Sequence, residues 1–168
     1  MNRSLGGTAG GGVVAISPFV SNNGTNRLWP PESFRELTRL LIQEGLKVVL
    51  CHHPSNRQQA REYAEAGTEV ACIELDLRST AAVFSLCSLL VSVETGLVHV
   101  AEGVNLPVVS ILGAFPPSRV LSRSDYSDCL FEKSHPCVPC YESQGCPYNR
   151  KCMDEITPLE VFEKVLDV

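Results

Sequence analysis

No stretch of this sequence stays apolar long enough to span a bilayer. The longest nearly apolar run, Ala81 to Val93, covers 13 residues and is interrupted by serines; a membrane-crossing helix needs about 20. No block of Lys or Arg is present and the net charge is -5, so a nucleic-acid backbone would find no basic face to dock on. A small anion, which needs only a local pocket, stays compatible with that balance. The first twelve residues, MNRSLGGTAGGG, lack the apolar centre of a signal peptide. They read as a flexible linker, with one folded unit over 13–168 and a cytoplasmic location expected. No internal repeat is visible. The 168 residues, 44% hydrophobic and 20% charged, suffice for a single sizeable core.

What is present is a regular alternation of short apolar runs with helical patterns. Val13-Val14-Ala15-Ile16 is a β-branched run that reads as a buried strand. Pro31 to Glu44 reads as a helix: proline sits in its first turn, Phe34, Leu37, Leu40 and Leu41 share a face, and Gly45 ends it. Lys47 to Cys51 and Glu69 to Leu75 are the next strands, with a polar helix from Asn56 to Ala66 between them. Ser79 to Cys87 reads as a helix, Leu89 to Val93 as a strand, Leu97 to Val104 as a short helix and Pro107 to Leu112 as a fifth strand. Beyond Gly113 the pattern gives way to a loop rich in Pro, Ser and Cys, and Thr157 to Asp167 reads as a closing helix. Strands apolar at every position, separated by helices, predict an α/β fold: a doubly wound parallel Rossmann-like sheet covered on both faces. The expected strand order is 3-2-1-4-5.

Ligands of such sheets bind outside the carboxyl ends of the strands. That rule selects four loops: Ser17 to Trp29, His52 to Asn56, Val93 to His99 and Gly113 to Arg119. In the third, Glu94-Thr95-Gly96 opens a helix whose free N–H groups and dipole suit a diphosphate. Thr95 can cap that helix or bond a phosphate oxygen, Gly96 permits close backbone approach, and His99 follows one turn on. In the first loop, Asn22 and Thr25 supply polar groups and Arg27 a guanidinium fork for phosphate. Trp29 reads as a core anchor. His52 and His53 beside Cys51 have no further ligand at metal spacing, and ligand contact is the better functional role for them.

Cys51, Cys72 and Cys87, in apolar segments, read as small core hydrophobes. Cys137, Cys140, Cys146 and Cys152 are spaced x2, x5, x5. Reduced thiols, a structural zinc with His135 as a spare ligand, and disulfides all remain open for them. An iron–sulfur cluster is disfavoured, and Pro136, Pro139 and Pro147 argue against a redox pair at a helix start. In each case the segment is expected to tie a long loop to the sheet.

Three stretches in register resemble glycosyltransferase family nine, the ADP-heptose:lipopolysaccharide heptosyltransferases. They are ISPFVSNNGTNRLWPPESFRELTRLL, SVETGLVHVAEGVNLPVVSILGAFPPSR and CVPCYESQGCPYNRKCM. The second is similar to the family's Asp-Thr-Gly-x-x-His-x-Ala segment followed by a strand ending in Gly, here Gly113. The resemblance implies one half of a GT-B enzyme, the domain that binds the nucleotide sugar. It also implies an N-terminal acceptor-binding domain that supplies the general base, a lipid-linked saccharide acceptor, no cofactor, and peripheral action at the inner face of the bacterial inner membrane. By matching position, Arg27 is expected at the phosphates, Thr95 and Gly96 around the diphosphate or sugar, Glu94 on hydroxyls and His99 near the phosphate or sugar. Asn22, Thr25 and Gly113 complete the expected substrate-binding set, and no catalytic residue is expected in this chain. The family's Asp is Glu94 here, and the loop after the second strand, His52 to Asn56, lacks its glycine and acidic residues. A stand-alone nucleotide or sugar-phosphate binding module, and a small zinc-stabilised interaction domain, are the competing readings from other classes.

Overall fold

A computed structural model describes residues 11–20, 24–64, 70–74, 76–121, 127–131, 135–142 and 145–168. Six strands form one sheet: β1 Val13–Ser17, β2 Lys47–His52, β3 Val70–Glu74, β4 Leu89–Val93, β5 Val108–Leu112 and β6 Ser127–Phe131. Their order is β3-β2-β1-β4-β5-β6, and every neighbouring pair is parallel. The first five strands lie as expected. β6 extends the β5 edge and was not expected, because Ser127 and Asp128 interrupt the apolar run that marks the others.

The continuous apolar strands follow from coverage of both faces. Val14, Ile16, Val48, Leu50, Val91 and Ile111 join one buried cluster with Trp29, Phe34, Leu37, Leu41, Val161 and Val165. The alternate residues Ala15, Val49, Cys51, Leu90 and Val108 join a second with Phe84, Val98 and Ala101. Helices α1, Pro31–Gln43, and α7, Pro158–Asp167, cover the first face. Helices α3, Leu77–Phe84, and α4, Gly96–Gly103, cover the second. Eight residues are too few for a helix to persist alone in water. Burial of Val98 and Ala101, at about 1–3 kcal/mol for a side chain of valine size, is what fixes α4.

Local signals set the ends. Gly45, at φ 85, closes α1. Asp76 accepts from Ser79 N at 2.8 Å, so α3 begins at Leu77, two residues before the expected Ser79. The expected Asn56 to Ala66 helix is α2, Arg57–Ala64, entered through a 3-10 turn at Pro54–Asn56. Thr157 and Glu160 form a reciprocal cap at the start of α7. Of the expected linker 1–12, residues 1–10 lie outside the described residues. Gly11 and Gly12 already pack on the sheet: Lys47 N donates to Gly12 O at 3.0 Å, and a Cβ on Gly11 would stand 1.9 Å from Gly45 O. Among the described residues, no helix is long and apolar enough to cross a membrane.

Because all strands are parallel, their carboxyl ends, from His52 and Ser17 to Val93 and Leu112, lie along one edge. The loops that leave this edge build the site.

Candidate functional site

The centre of the edge is the start of α4. Thr95 is its N-cap, extended at φ -141 and ψ 166, and its Oγ1 accepts from Leu97 N at 3.2 Å. Val98 N donates to Thr95 O at 3.2 Å, and the helix start, with the positive end of its dipole, opens at the sheet edge, where an anion is favoured.

Arg27 reaches this point from a 3-10 turn, Thr25–Arg27, in the loop after β1. Its guanidinium folds back over Gly24, where a Cβ would lie 2.3 Å from Nη2, so glycine is needed there for this arginine conformation. Arg27 Nη1 donates to Glu94 Oε1 at 3.2 Å and to Glu94 O at 3.4 Å. The pair is largely buried, with side chains 17% and 12% exposed. Among the described residues, the buried Arg27 Nε and Glu94 Oε2 have no hydrogen-bond partner. Burial pushes the Glu94 carboxyl above its ordinary range, and the charges of Arg27 and Arg119 only partly offset this.

Five of the expected residues, Arg27, Glu94, Thr95, Gly96 and His99, line one cleft of about 280 Å³, walled on the far side by Phe115 and Arg119. His99 is exposed and its Nδ1 lies 3.1 Å from Glu102 Oε2. Among the described residues, a Cβ on Gly96 would meet no atom within 4 Å, so packing against them does not demand glycine there. A second, larger and mostly apolar cleft of about 690 Å³ runs from Thr95 along the ends of β1 and β2, past Phe19, Val20, His52 and Leu77. Thr95 is common to both clefts. The arrangement offers an apolar seat for a flat ring system, leading through an anion-receptive helix start to a small charged chamber.

The other expected residues lie elsewhere. Asn22 is outside the described residues. Thr25 does not line the charged cleft; its carbonyl accepts from Arg150 Nη1 at 3.4 Å. Gly113 lines neither cleft. A Cβ there would stand 2.5 Å from Met153 Sδ and 3.3 Å from Cys152 Sγ, so its position is explained by packing against α6, Lys151–Asp154. Trp29 is the core anchor expected, 1% exposed, with Nε1 donating to Ile156 O at 2.8 Å. Phe115 and Arg119 fall in the loop Gly113 to Arg119 expected at the ligand edge, although neither was expected in the substrate-binding set, and the Asp76–Thr80 start of α3, which borders the larger cleft, lies outside the four expected loops. Arg119 had a signal: it is the cation nearest in sequence after the carboxyl end of β5.

Cys137, Cys140, Cys146 and Cys152 are free thiols. The first three lie near enough to Cys152 to add to the effect of burial, which pushes its thiol up to about 11. Each of those three nevertheless has a local partner: Cys137 Sγ lies 3.6 Å from His135 Nδ1, Cys140 Sγ donates to Glu142 O, and Cys146 Sγ accepts from Arg150 N at 3.3 Å. Among the described residues, no group of three or more His, Cys, Asp or Glu is placed to hold a metal. The segment is held by other bonds: buried Asn26 donates to Glu142 O and accepts from Cys146 N, both at 3.2 Å, which ties it to the loop after β1.

These features define a Rossmann-like α/β unit with an anion-receptive cleft at its carboxyl edge. The model of glycosyltransferase family 9 (heptosyltransferase) matches residues 4–150, and the chain belongs to that family. Lipopolysaccharide heptosyltransferase 1 of Escherichia coli K12 is 30% identical over 94 residues, which cover 55% of this chain and 30% of that protein. The enzyme of the same name from Pseudomonas aeruginosa is 28% identical over 142 residues, 83% of this chain and 37% of that one. The solved structure of E. coli heptosyltransferase WaaC with ADP superposes with a TM-score of 0.74 at 21% identity, over 95% of this chain and 45% of that chain. The chain thus spans about a third of the length of these curated relatives and less than half of the solved one, and its fold is the α/β fold expected of a GT-B half.

Proposed function

We propose that this chain is the donor-binding half of an inverting heptosyltransferase and that it binds ADP-heptose for transfer to the inner core of lipopolysaccharide. The observation that carries this reading is the meeting of Arg27 and the start of α4 in one cleft that adjoins a larger apolar cleft at Thr95. The adenosine occupies the apolar cleft, the diphosphate lies against the α4 amides and Arg27, and the sugar extends past Glu94 and His99. The acceptor hydroxyl attacks the anomeric carbon, the bond from that carbon to the ADP oxygen breaks, and ADP departs as an anion. Donors preplaced around that oxygen become more valuable as its charge grows. The general base and the lipid-linked saccharide acceptor belong to a further, N-terminal domain, in line with the fraction of its relatives' length that this chain spans. No metal takes part. The full-length enzyme works on the cytoplasmic side, peripheral to the inner membrane.

The test is calorimetric titration of the chain with ADP and then ADP-heptose. Saturable binding is expected, tighter for the sugar nucleotide. Arg27→Ala removes a charge-assisted contact of about 1.5–3 kcal/mol, a loss of roughly tenfold to a hundredfold in affinity. Thr95→Val also weakens binding, at a cost of about 1 kcal/mol in stability from the lost cap, so it is titrated well below its melting point. If both variants bind as tightly as the parent, the site is misplaced. Binding of a different nucleotide sugar in preference to ADP-heptose would overturn the donor assignment.

A further inference from the structure

Arg119 borders the smaller cleft without a part in the donor site proposed for Arg27 and the start of α4. It sits on α5, Pro117–Val120, a single turn entered through Pro116 and closed by Arg119 N donating to Pro116 O at 3.0 Å. Its guanidinium carbon lies 5.0 Å from the Phe115 ring centroid and 5.7 Å from that of Tyr141. The two rings meet edge to face, 5.9 Å apart at 74°. A surface arginine normally samples many rotamers. Two aromatic partners restrict that freedom while leaving its N–H groups able to donate.

One of those partners comes from the cysteine-bearing segment. Tyr141 follows Cys140 in a left-handed conformation, φ 59, and its amide donates to buried Ala114 O at 2.9 Å. The neighbouring Glu142 carbonyl is held by Asn26. The segment is thereby fastened beside the loop after β5, with the Tyr141 ring against Arg119.

The charges in the smaller cleft give this arginine its significance. Arg27 is already engaged by Glu94. Among the described residues, no carboxylate lies within ion-pair distance of Arg119, so its guanidinium, unlike that of Arg27, is not committed to an ion pair and can donate to a ligand anion. Position adds direction. Thr95 borders both clefts, whereas Arg119 borders only the smaller one. A nucleotide lying from the apolar cleft across Thr95 passes its first phosphate at the helix start and reaches Arg119 with its second.

We infer that Arg119 is a specificity-determining residue for the distal phosphate of a nucleoside diphosphate, and that Tyr141, carried by the cysteine-bearing segment, is the positioning residue that holds it there. The inference rests on the donor reading above and extends it to a discrimination between diphosphate and monophosphate.

The experiment compares ADP with AMP on the 168-residue chain by calorimetry, for the parent, Arg119→Ala, Tyr141→Ala and Tyr141→Phe, with melting curves to verify folding. Arg119→Ala is expected to weaken ADP at least about tenfold, one charge-assisted contact, and to leave AMP within about twofold. Tyr141→Ala moves the ADP-to-AMP ratio the same way by a few fold, and Tyr141→Phe, which keeps the ring, restores it. An unchanged ratio in Arg119→Ala, with the parent binding ADP, overturns this inference and leaves the donor reading intact. Equal loss of ADP and AMP in Arg119→Ala overturns it too. A parent that binds no ADP overturns the donor reading, and this inference falls with it.

Discussion

Gly113 is where sequence and packing give different roles to one residue, and Gly113→Ala separates them. A Cβ at that position would stand 2.5 Å from Met153 Sδ, 3.2 Å from Met153 Cγ and 3.3 Å from Cys152 Sγ, whereas attractive contact begins at about 3.5 Å or more. Met153 must retreat by about 1 Å, and it is poorly placed to do so, being 0% exposed and packed in the cluster that contains Trp29, Ile156 and Val161. Overpacking of this kind costs about 1–3 kcal/mol. At about 2–4 °C per kcal/mol for a chain of this size, the melting midpoint falls by roughly 2–12 °C. Affinity for ADP, titrated well below the midpoint, is expected to stay within about twofold, because Gly113 lines neither cleft. Combining the change with Met153→Ala should cost less than the sum of the two single effects, since the new methyl then fills part of the space vacated; residues in contact couple by about 0.5–3 kcal/mol. An unchanged midpoint together with loss of ADP binding would refute the packing argument and return Gly113 to the ligand.

Gly96→Ala is expected to behave in the opposite way. The new methyl meets no atom of the described residues within 4 Å and alanine favours the helix, so stability holds or rises slightly, while the affinity for ADP falls because the methyl narrows the approach to the start of α4. Unaltered affinity would show that the diphosphate does not lie there. A third expectation concerns alkaline pH. Burial pushes the Cys51 thiol from 9.0 to about 12, the Cys152 thiol from 9.0 to about 11 and the Tyr63 hydroxyl from 10.0 to about 12. Each is an acid that the fold keeps neutral, so the unfolded chain loses these protons first as pH rises. Their stabilisation is complete below about pH 9 and is lost progressively as pH climbs through the folded values. Melting midpoints measured from about pH 8 to about pH 11 should decline, and a flat or rising profile would contradict the burial of these groups.

What could be read from the sequence follows from the range of the interaction concerned. β1, β2, β4 and β5 contribute to both buried clusters, so apart from Lys47 and His52 at the ends of β2 their residues are apolar or small, and the runs declare themselves. β6 is an edge strand with Ser127 and Asp128 at its start, and nothing local marks it. The α3 start was placed late for a similar reason: the cap that fixes it, Asp76, is a single polar residue before the apolar pattern begins. The rule that ligands sit at the carboxyl edge brought Arg27 and Glu94 to the same region. It could not pair them, since 67 residues separate the two and only the fold sets their contact. Tyr141 and Arg119 are joined in the same way, through a segment in which only the cysteines attract notice. Gly96 and Gly113 make the limit plain. Both are glycines just beyond strands that end at the same edge, yet one faces open space and the other abuts a methionine 40 positions along the chain. Residue type at a loop position establishes that the backbone comes close to something. Whether that neighbour is a ligand or another part of the chain is decided by tertiary packing, and for this edge the deciding element is the cysteine-bearing segment, whose Met153 occupies one glycine's space and whose Tyr141 steadies the cation at the other's cleft.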